Sequence, residues 1–207
     1  MKKALLIFFL LFNITAFANN EDIYGEDDIV EEEKLEVEVE DKLTKEQQKQ
    51  YLEQAIAHIK AKEYNAARDI LFQIEKYGAP EVYYEIGLLF NKGLGIGKDN
   101  KESAKYFLRA AELGHLKSIY NIAYMYEHGI GPKLDGKAAA KWYEKAANSG
   151  LKKAQRKMGD LYYDGIGVKR DLEKAAYWYK KVADSGDLVG KKLYEKVMFD
   201  LKKGRIY

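Results

Sequence analysis

Few residues in this sequence could do chemistry, and their spacing decides each case. Gly93-Leu-Gly-Ile-Gly-Lys98 has the glycines and lysine of a phosphate-cradling loop. Such a loop follows a strand, needs one more residue between its glycines, and places serine or threonine after the lysine. Here Asp99 follows, and the glycines recur at Gly129 and Gly131 and at Gly165 and Gly167 without that lysine spacing. They read as turn glycines. Ser149-Gly-Leu-Lys152 matches the serine and lysine of penicillin-binding enzymes as a bare string, but the companion S-D-N and K-T-G elements are missing. His58, His115 and His128 form no H-x-x-x-H or H-E-x-x-H pair, which argues against zinc. His128 reads instead as a helix C-terminal residue favoured by the dipole. Cysteine is absent, which removes thiolate nucleophiles, cysteine metal ligands and disulfides. The carboxylates between Glu21 and Asp41 lack a rigid frame for a catalytic pair and lack the D-x-D-x-D-G calcium-loop pattern. The sequence therefore points to a chain without catalytic, cofactor-binding or metal-binding residues, and not to an enzyme.

The elements that position these residues repeat. Gly93 and Gly95, Gly129 and Gly131, and Gly165 and Gly167 keep a step of 36 residues. So do Asp99, Asp135 and Asp171; Phe107, Tyr143 and Tyr179; Ala111, Ala147 and Ala183; and Gly114, Gly150 and Gly186. Self-similarity at such a period marks a solenoid of stacked units. Each copy reads as two helices around a glycine loop. The first helix carries Val82, Ile86, Gly87 and Phe90, matched by Ser118, Ile122, Ala123 and Tyr126, then by Ala154, Met158, Gly159 and Tyr162. That spacing covers one helical face. The second helix starts after the aspartate, which can accept from first-turn N–H groups. It closes on a glycine suited to a left-handed cap.

Ile86-Gly87-x-x-Phe90-x-x-Gly93-x-Gly95-Ile96 and Ala140-x-Trp142-Tyr143-x-Lys145-Ala146-Ala147 resemble the Sel-1-like repeat, a 36-residue relative of the tetratricopeptide repeat. The resemblance implies an all-α, right-handed solenoid of antiparallel helix pairs, used as a scaffold or adaptor. Three copies are expected at 81–117, 118–153 and 154–189. Pro132 replaces the usual aliphatic residue after the second glycine, and Ala123 replaces a glycine. Residues 44–80 read as a degenerate tetratricopeptide-like unit: Tyr51, Ala55, Ala67, Leu71 and Ile74 fall near that repeat's positions. Residues 190–207 continue the first-helix register as a capping helix with lysines at 191, 192, 196, 202 and 203. Some relatives have been discussed as penicillin-interacting, so an envelope enzyme or a β-lactam- or peptidoglycan-interacting protein is the alternative reading.

The 207 residues, 47% of them hydrophobic, suffice for an elongated array. Lys2 and Lys3, the apolar run from Ala4 to Phe12, and Ala16-Phe17-Ala18 read as a signal peptide over residues 1–18, cleaved after Ala18. The apolar run is too short to span a bilayer, so no transmembrane segment is expected after cleavage, and the location is periplasmic or secreted. A secreted chain engaging a host protein is a further alternative. Twelve carboxylates and one lysine between Glu21 and Asp41 make residues 19–43 an acidic tail, expected to be disordered. The rest of the chain is correspondingly basic. Its lysines spread over every repeat, which fits a solvated face and not a nucleic-acid site.

Opposite the first-helix core lie positions 84, 88 and 91 of each copy. They are Tyr84, Leu88 and Asn91; Tyr120, Tyr124 and Glu127; Arg156, Asp160 and Tyr163. In solenoids of this kind the first helices line the surface where partners dock, and tyrosine and arginine are enriched in interface hot spots. These nine residues are the expected site for a protein or peptide partner.

Overall fold

The computed structural model describes residues 42–204. The expected signal peptide and the acidic tail up to residue 41 lie outside the described residues. The chain divides into two units, Met1–Glu46 and Gln47–Tyr207, and the architecture below is that of the second. Among the described residues every regular element is helical. They are α1 (Lys45–Lys60), α2 (Tyr64–Ile74, followed by a 3-10 turn at Glu75–Tyr77), α3 (Pro80–Lys92), α4 (Asn100–Glu112), α5 (Leu116–His128), α6 (Gly136–Asn148), α7 (Lys152–Asp164), α8 (Leu172–Asp184) and α9 (Leu188–Gly204). The pairs α3–α4, α5–α6 and α7–α8 each surround a glycine loop, and α1 and α2 are joined by a tight turn without one.

One hydrogen-bond scheme builds all three loops. Gly93 ends α3 in the left-handed region, φ 68°, with its N–H donating to the Leu89 carbonyl. That conformation costs an L side chain about 1–2 kcal/mol, which selects glycine. The loop then turns back: the Asp99 N–H donates to the Phe90 carbonyl at 3.0 Å. The Asp99 carboxylate accepts from the N–H groups of Lys101 and Glu102 at 2.8 and 3.0 Å, capping α4. Asp135 repeats this for α6, accepting from Lys137 and Ala138, while its own N–H reaches Tyr126. Asp171 caps α8 through Lys174 and is tied to Tyr162. One aspartate per copy thus joins the end of the first helix to the start of the second.

The second glycine of each loop meets the preceding unit. A methyl at Gly95 would stand 2.5 Å from the Tyr64 carbonyl oxygen at the start of α2. At Gly131 it would overlap the Asn100 carbonyl, and at Gly167 that of Gly136. Main chain lies against main chain at every seam. Arg68 reinforces the first seam by donating from Nη1 to the Gly95 carbonyl at 2.6 Å.

Each interior helix has neighbours on two sides: α5 touches α4 and α6, and α7 touches α6 and α8. This widens the buried arc beyond the one expected from the sequence. Val82, Ile86 and Gly87 are buried, but so are Leu89, Met125 and Leu161, whereas Phe90, Tyr126 and Tyr162 are only half-buried. Between the two helices of a copy, a ring from the second helix sits on a small residue of the first. A methyl at Gly87 would lie 2.8 Å from the Phe107 ring, and one at Gly159 would overlap Tyr179. Burying a ring of this size is worth about 2–3 kcal/mol, so each such contact is a main source of cohesion. Ser103, fully buried, is satisfied by donating to the Gly87 carbonyl at 2.8 Å.

The last described helix, α9, continues the first-helix register against α8. Glu195 stands where Gly87, Ala123 and Gly159 stand in the copies, and it is exposed. A long charged side chain at that position leaves no seat for another second-helix ring. The lysines at 191, 192, 196, 202 and 203 are all exposed.

Candidate functional site

The register that faces away from the first-helix core is continuous from α3 to α9, because contacts bridge each helix to the next. On α3, the Tyr84 ring lies 4.5 Å from His115 and 6.0 Å from Phe107. Lys117 of α5 sits 5.8 Å over it. Leu88 is half-buried against the main core, and Asn91 is half-buried beside it in the register. On α5, Tyr120 meets the Tyr143 ring edge-on at 5.3 Å. Tyr124 is 42% exposed, its ring 4.2 Å from His128. Glu127 accepts from the Tyr143 hydroxyl at 2.7 Å and from Lys157 Nζ of α7 at 2.8 Å. On α7, Arg156 is exposed, and Asp160 accepts from the Tyr179 hydroxyl at 2.8 Å. The Tyr163 hydroxyl donates to Asp200 of α9 at 2.6 Å, with Lys196 4.5 Å over its ring.

The nine expected residues therefore share one face, but they are not equally available. Tyr124 and Arg156 are exposed. Tyr84 and Tyr120 lend one side of their rings to the core, and Glu127, Asp160 and Tyr163 are already hydrogen-bonded. The electrostatics follow from this. Burial alone would raise the Glu127 carboxyl, but hydrogen bonds from Lys157 and Tyr143 and the charge of Lys157 hold it below the usual carboxylate range. Burial raises Asp160, and the Tyr179 hydroxyl with Lys157 and Arg156 offsets only part of the shift. The Tyr143 and Tyr179 phenols are pushed above their ordinary value by burial and by the carboxylates they bond. Burial also lowers His115, with Glu81 pulling the other way and Lys117 adding to the drop. A neutral His115 suits its place as the N-cap of α5, where Nδ1 accepts from the Ser118 N–H.

Two exposed apolar residues of this face escaped the sequence reading. Val189 and Phe199 of α9 are 51% and 58% exposed. Phe199 stands 36 residues beyond Tyr163, so carrying the period one helix further would have found it; Val189 stands 36 residues beyond Lys153, a position outside the nine. The lysines of α9 drew the reading toward a purely polar cap. The remaining motifs have local roles. The Ser149 hydroxyl donates to the Lys145 carbonyl at 3.0 Å at the end of α6, and Lys152 opens α7. His58 Nδ1 pairs with Glu63 at 2.5 Å. Among the described residues no group of three or more potential metal ligands is clustered, and no helix is long and apolar enough to cross a membrane.

Helix pairs stacked at a constant 36-residue step and held by glycine seams define an α-helical repeat solenoid. The chain belongs to the Sel1 repeat family: the family model, described as Sel1 repeat, matches residues 80–115, 116–151 and 152–187. The chain is similar to a Sel1 repeat protein from Oxalobacter formigenes, with 35% identity over 67% of this chain and 57% of that one, at a TM-score of 0.63. It is also similar to a protective antigen present in uropathogenic Escherichia coli strains and displaying an SLR fold, with 29% identity over 76% of this chain and 34% of that one, TM-score 0.67. It thus spans 57% and 34% of the lengths of those two chains. Comparison with curated proteins gives no match. Sel1 repeat proteins generally mediate protein–protein interaction and are generally non-enzymatic scaffolds.

Proposed function

We propose that this chain is an exported, non-enzymatic scaffold that captures a protein or peptide partner on its first-helix face. The observation that carries the reading is the continuity of that face: Tyr84, Glu127 and Tyr163 each contact the following first helix or its entry turn. A partner laid across it meets several repeats at once, and Tyr124 stands exposed near its middle. Half-buried rings held by their neighbours lose little side-chain freedom on binding, which favours them as anchors. Export rests on the positive start, the apolar run and the small residues at Ala16 and Ala18.

The test is a photo-crosslinking residue at position 124 in the full chain, in cells, with identification of what is captured. A discrete adduct, weakened about ten-fold or more when Tyr120→Ala and Tyr124→Ala are combined in a chain of unchanged helicity, is the expected result. Capture unaffected by both substitutions would remove the site. Fractionation should place a chain beginning at Asn19 in periplasm or medium, and an intact chain retained in the cytoplasm would refute export.

A further inference from the structure

We infer that the α7–α9 end of the first-helix face takes an acidic peptide segment with two bulky apolar side chains, lying along α9. The inference rests on the proposed partner-binding role of this face and specifies what it binds. On α9, Val189, Lys192, Lys196, Phe199 and Lys203 follow spacings of three and four residues, which places them on one stripe. All five are exposed. The stripe thus reads apolar, cation, cation, apolar, cation, with Lys203 4.8 Å over the Phe199 ring. Neighbouring α7 adds Arg156, also exposed.

Among the carboxylates near these cations Glu195 is exposed, whereas two others are engaged. Asp160 and Asp200 each accept from a tyrosine hydroxyl, and Lys157 is held by Glu127. The lysines of the stripe are exposed, and Lys196 and Lys203 also lie over the Tyr163 and Phe199 rings. At the other end of the face, α3 presents Glu81 and Glu85 instead. An acidic segment is attracted to the exposed cations of α9, whereas at the α3 end Glu81 and Glu85 share the surface with Lys92 and Lys117.

Val189 and Phe199 are ten residues apart on a helix, about 15 Å at 1.5 Å per residue. An extended peptide covers that in four or five residues at about 3.3 Å each, and side chains on one side of it recur at even spacings. The fitting segment carries large apolar residues four apart with carboxylates between them. A bilayer is a poorer fit, because the exposed apolar residues Tyr124, Leu188, Val189 and Phe199 are interspersed with exposed charged side chains, while Tyr120 and Tyr163 are held against their neighbours. A nucleic-acid backbone would meet Asp160 and Asp200 among the cations.

The experiment measures fluorescence anisotropy of a labelled Ser-Phe-Glu-Glu-Glu-Phe-Ser peptide with the full chain at low and high salt. Two control peptides have lysine for glutamate or serine for phenylalanine. The acidic apolar peptide should bind at least about ten-fold more tightly than the lysine version, and more weakly as salt rises. Combining Lys192→Glu with Lys196→Glu should weaken it by about ten-fold or more, and Phe199→Ser by about three- to five-fold, in chains of unchanged helicity. Equal binding of the lysine peptide, or no effect of the charge reversal, would overturn the inference. So would binding to phosphatidylglycerol vesicles, abolished by the same reversal, from a chain that ignores the peptide. If crosslinking at position 124 captures a partner while the acidic peptide fails, only the partner chemistry is wrong; if both fail, the face itself is not the binding surface.

Discussion

The second and third repeats solve one problem in two ways. In each, a tyrosine of the second helix, Tyr143 or Tyr179, is driven into the core and its hydroxyl must find an acceptor. In the third repeat the first helix offers Gly159 beneath the ring, and the hydroxyl reaches Asp160, the next residue. In the second, Ala123 holds the matching position in the same core cluster as Tyr143, and the hydroxyl reaches Glu127, one turn further along. The displaced carboxylate changes the outer face. Tyr124 takes the register of Asp160 and is left to solvent, whereas Tyr163 takes the register of Glu127 and reaches across to Asp200. How a repeat satisfies its interior phenol thus decides which side chain it shows to a partner.

The largest expected effect tests the space under the ring. Gly159→Val should destabilise the chain by about 3 kcal/mol, because the added atoms overlap Tyr179. Ala123→Val should cost clearly less, about 1–2 kcal/mol, since the second repeat already accommodates a methyl there. Urea denaturation compares them, and equal costs would mean that the two repeats do not differ at this contact.

Removing the hydroxyls comes next. Tyr143→Phe and Tyr179→Phe should each cost about 2 kcal/mol, the loss of a hydrogen bond to a partly buried carboxylate. They should differ in the carboxylate left behind. Glu127 keeps Lys157 at 2.8 Å and stays ionised, whereas Asp160 loses its direct donor and titrates still higher. Carboxyl resonances followed by NMR through acid titration separate the two, and an unmoved Asp160 would contradict the assignment.

The smallest effect lies in the pH dependence of stability. Glu127 is held below its unfolded value, so it contributes stability above that value which is lost as pH falls through the folded one. Asp160 is raised, so the folded chain binds its proton more readily and gains relative stability on acidification. Between about pH 7 and about pH 4, the melting temperature of Asp160→Asn should fall more steeply than that of the unaltered chain, whereas that of Glu127→Gln should fall less steeply below about pH 4.3, the unfolded glutamate value. Parallel slopes for both would remove the contrast between the repeats.

The period was legible because it is written in residues with few substitutes. Gly93, Gly129 and Gly165 occupy left-handed positions, Gly95, Gly131 and Gly167 meet a neighbouring main chain, and Asp99, Asp135 and Asp171 make the cap bonds their type suggests. The width of the buried arc was not legible, since Leu89, Met125 and Leu161 are covered only once helices from both sides are in place. At the candidate site, the register of Tyr84, Tyr120 and Arg156 could be read from spacing. That Glu127 and Asp160 would be claimed by phenols of the second helix could not, because spacing along one helix does not tell how deeply the next one sits against it. Phe199 was missed for another reason: its lysine-rich surroundings obscured a period that still held.

The seams at Gly95, Gly131 and Gly167 have a consequence for how such a molecule can change. Where backbone rests on backbone, the interval between units is set by main-chain dimensions, and side-chain substitution has little purchase on it. Tyr124 and its counterparts Leu88 and Asp160 can be exchanged for other types while the distance from one to the next is preserved. The solenoid behaves as a ruler with fixed graduations and rewritable marks. Duplicating one 36-residue unit would lengthen that ruler without respacing it, so a recognition pattern could be extended by copying and then edited one mark at a time.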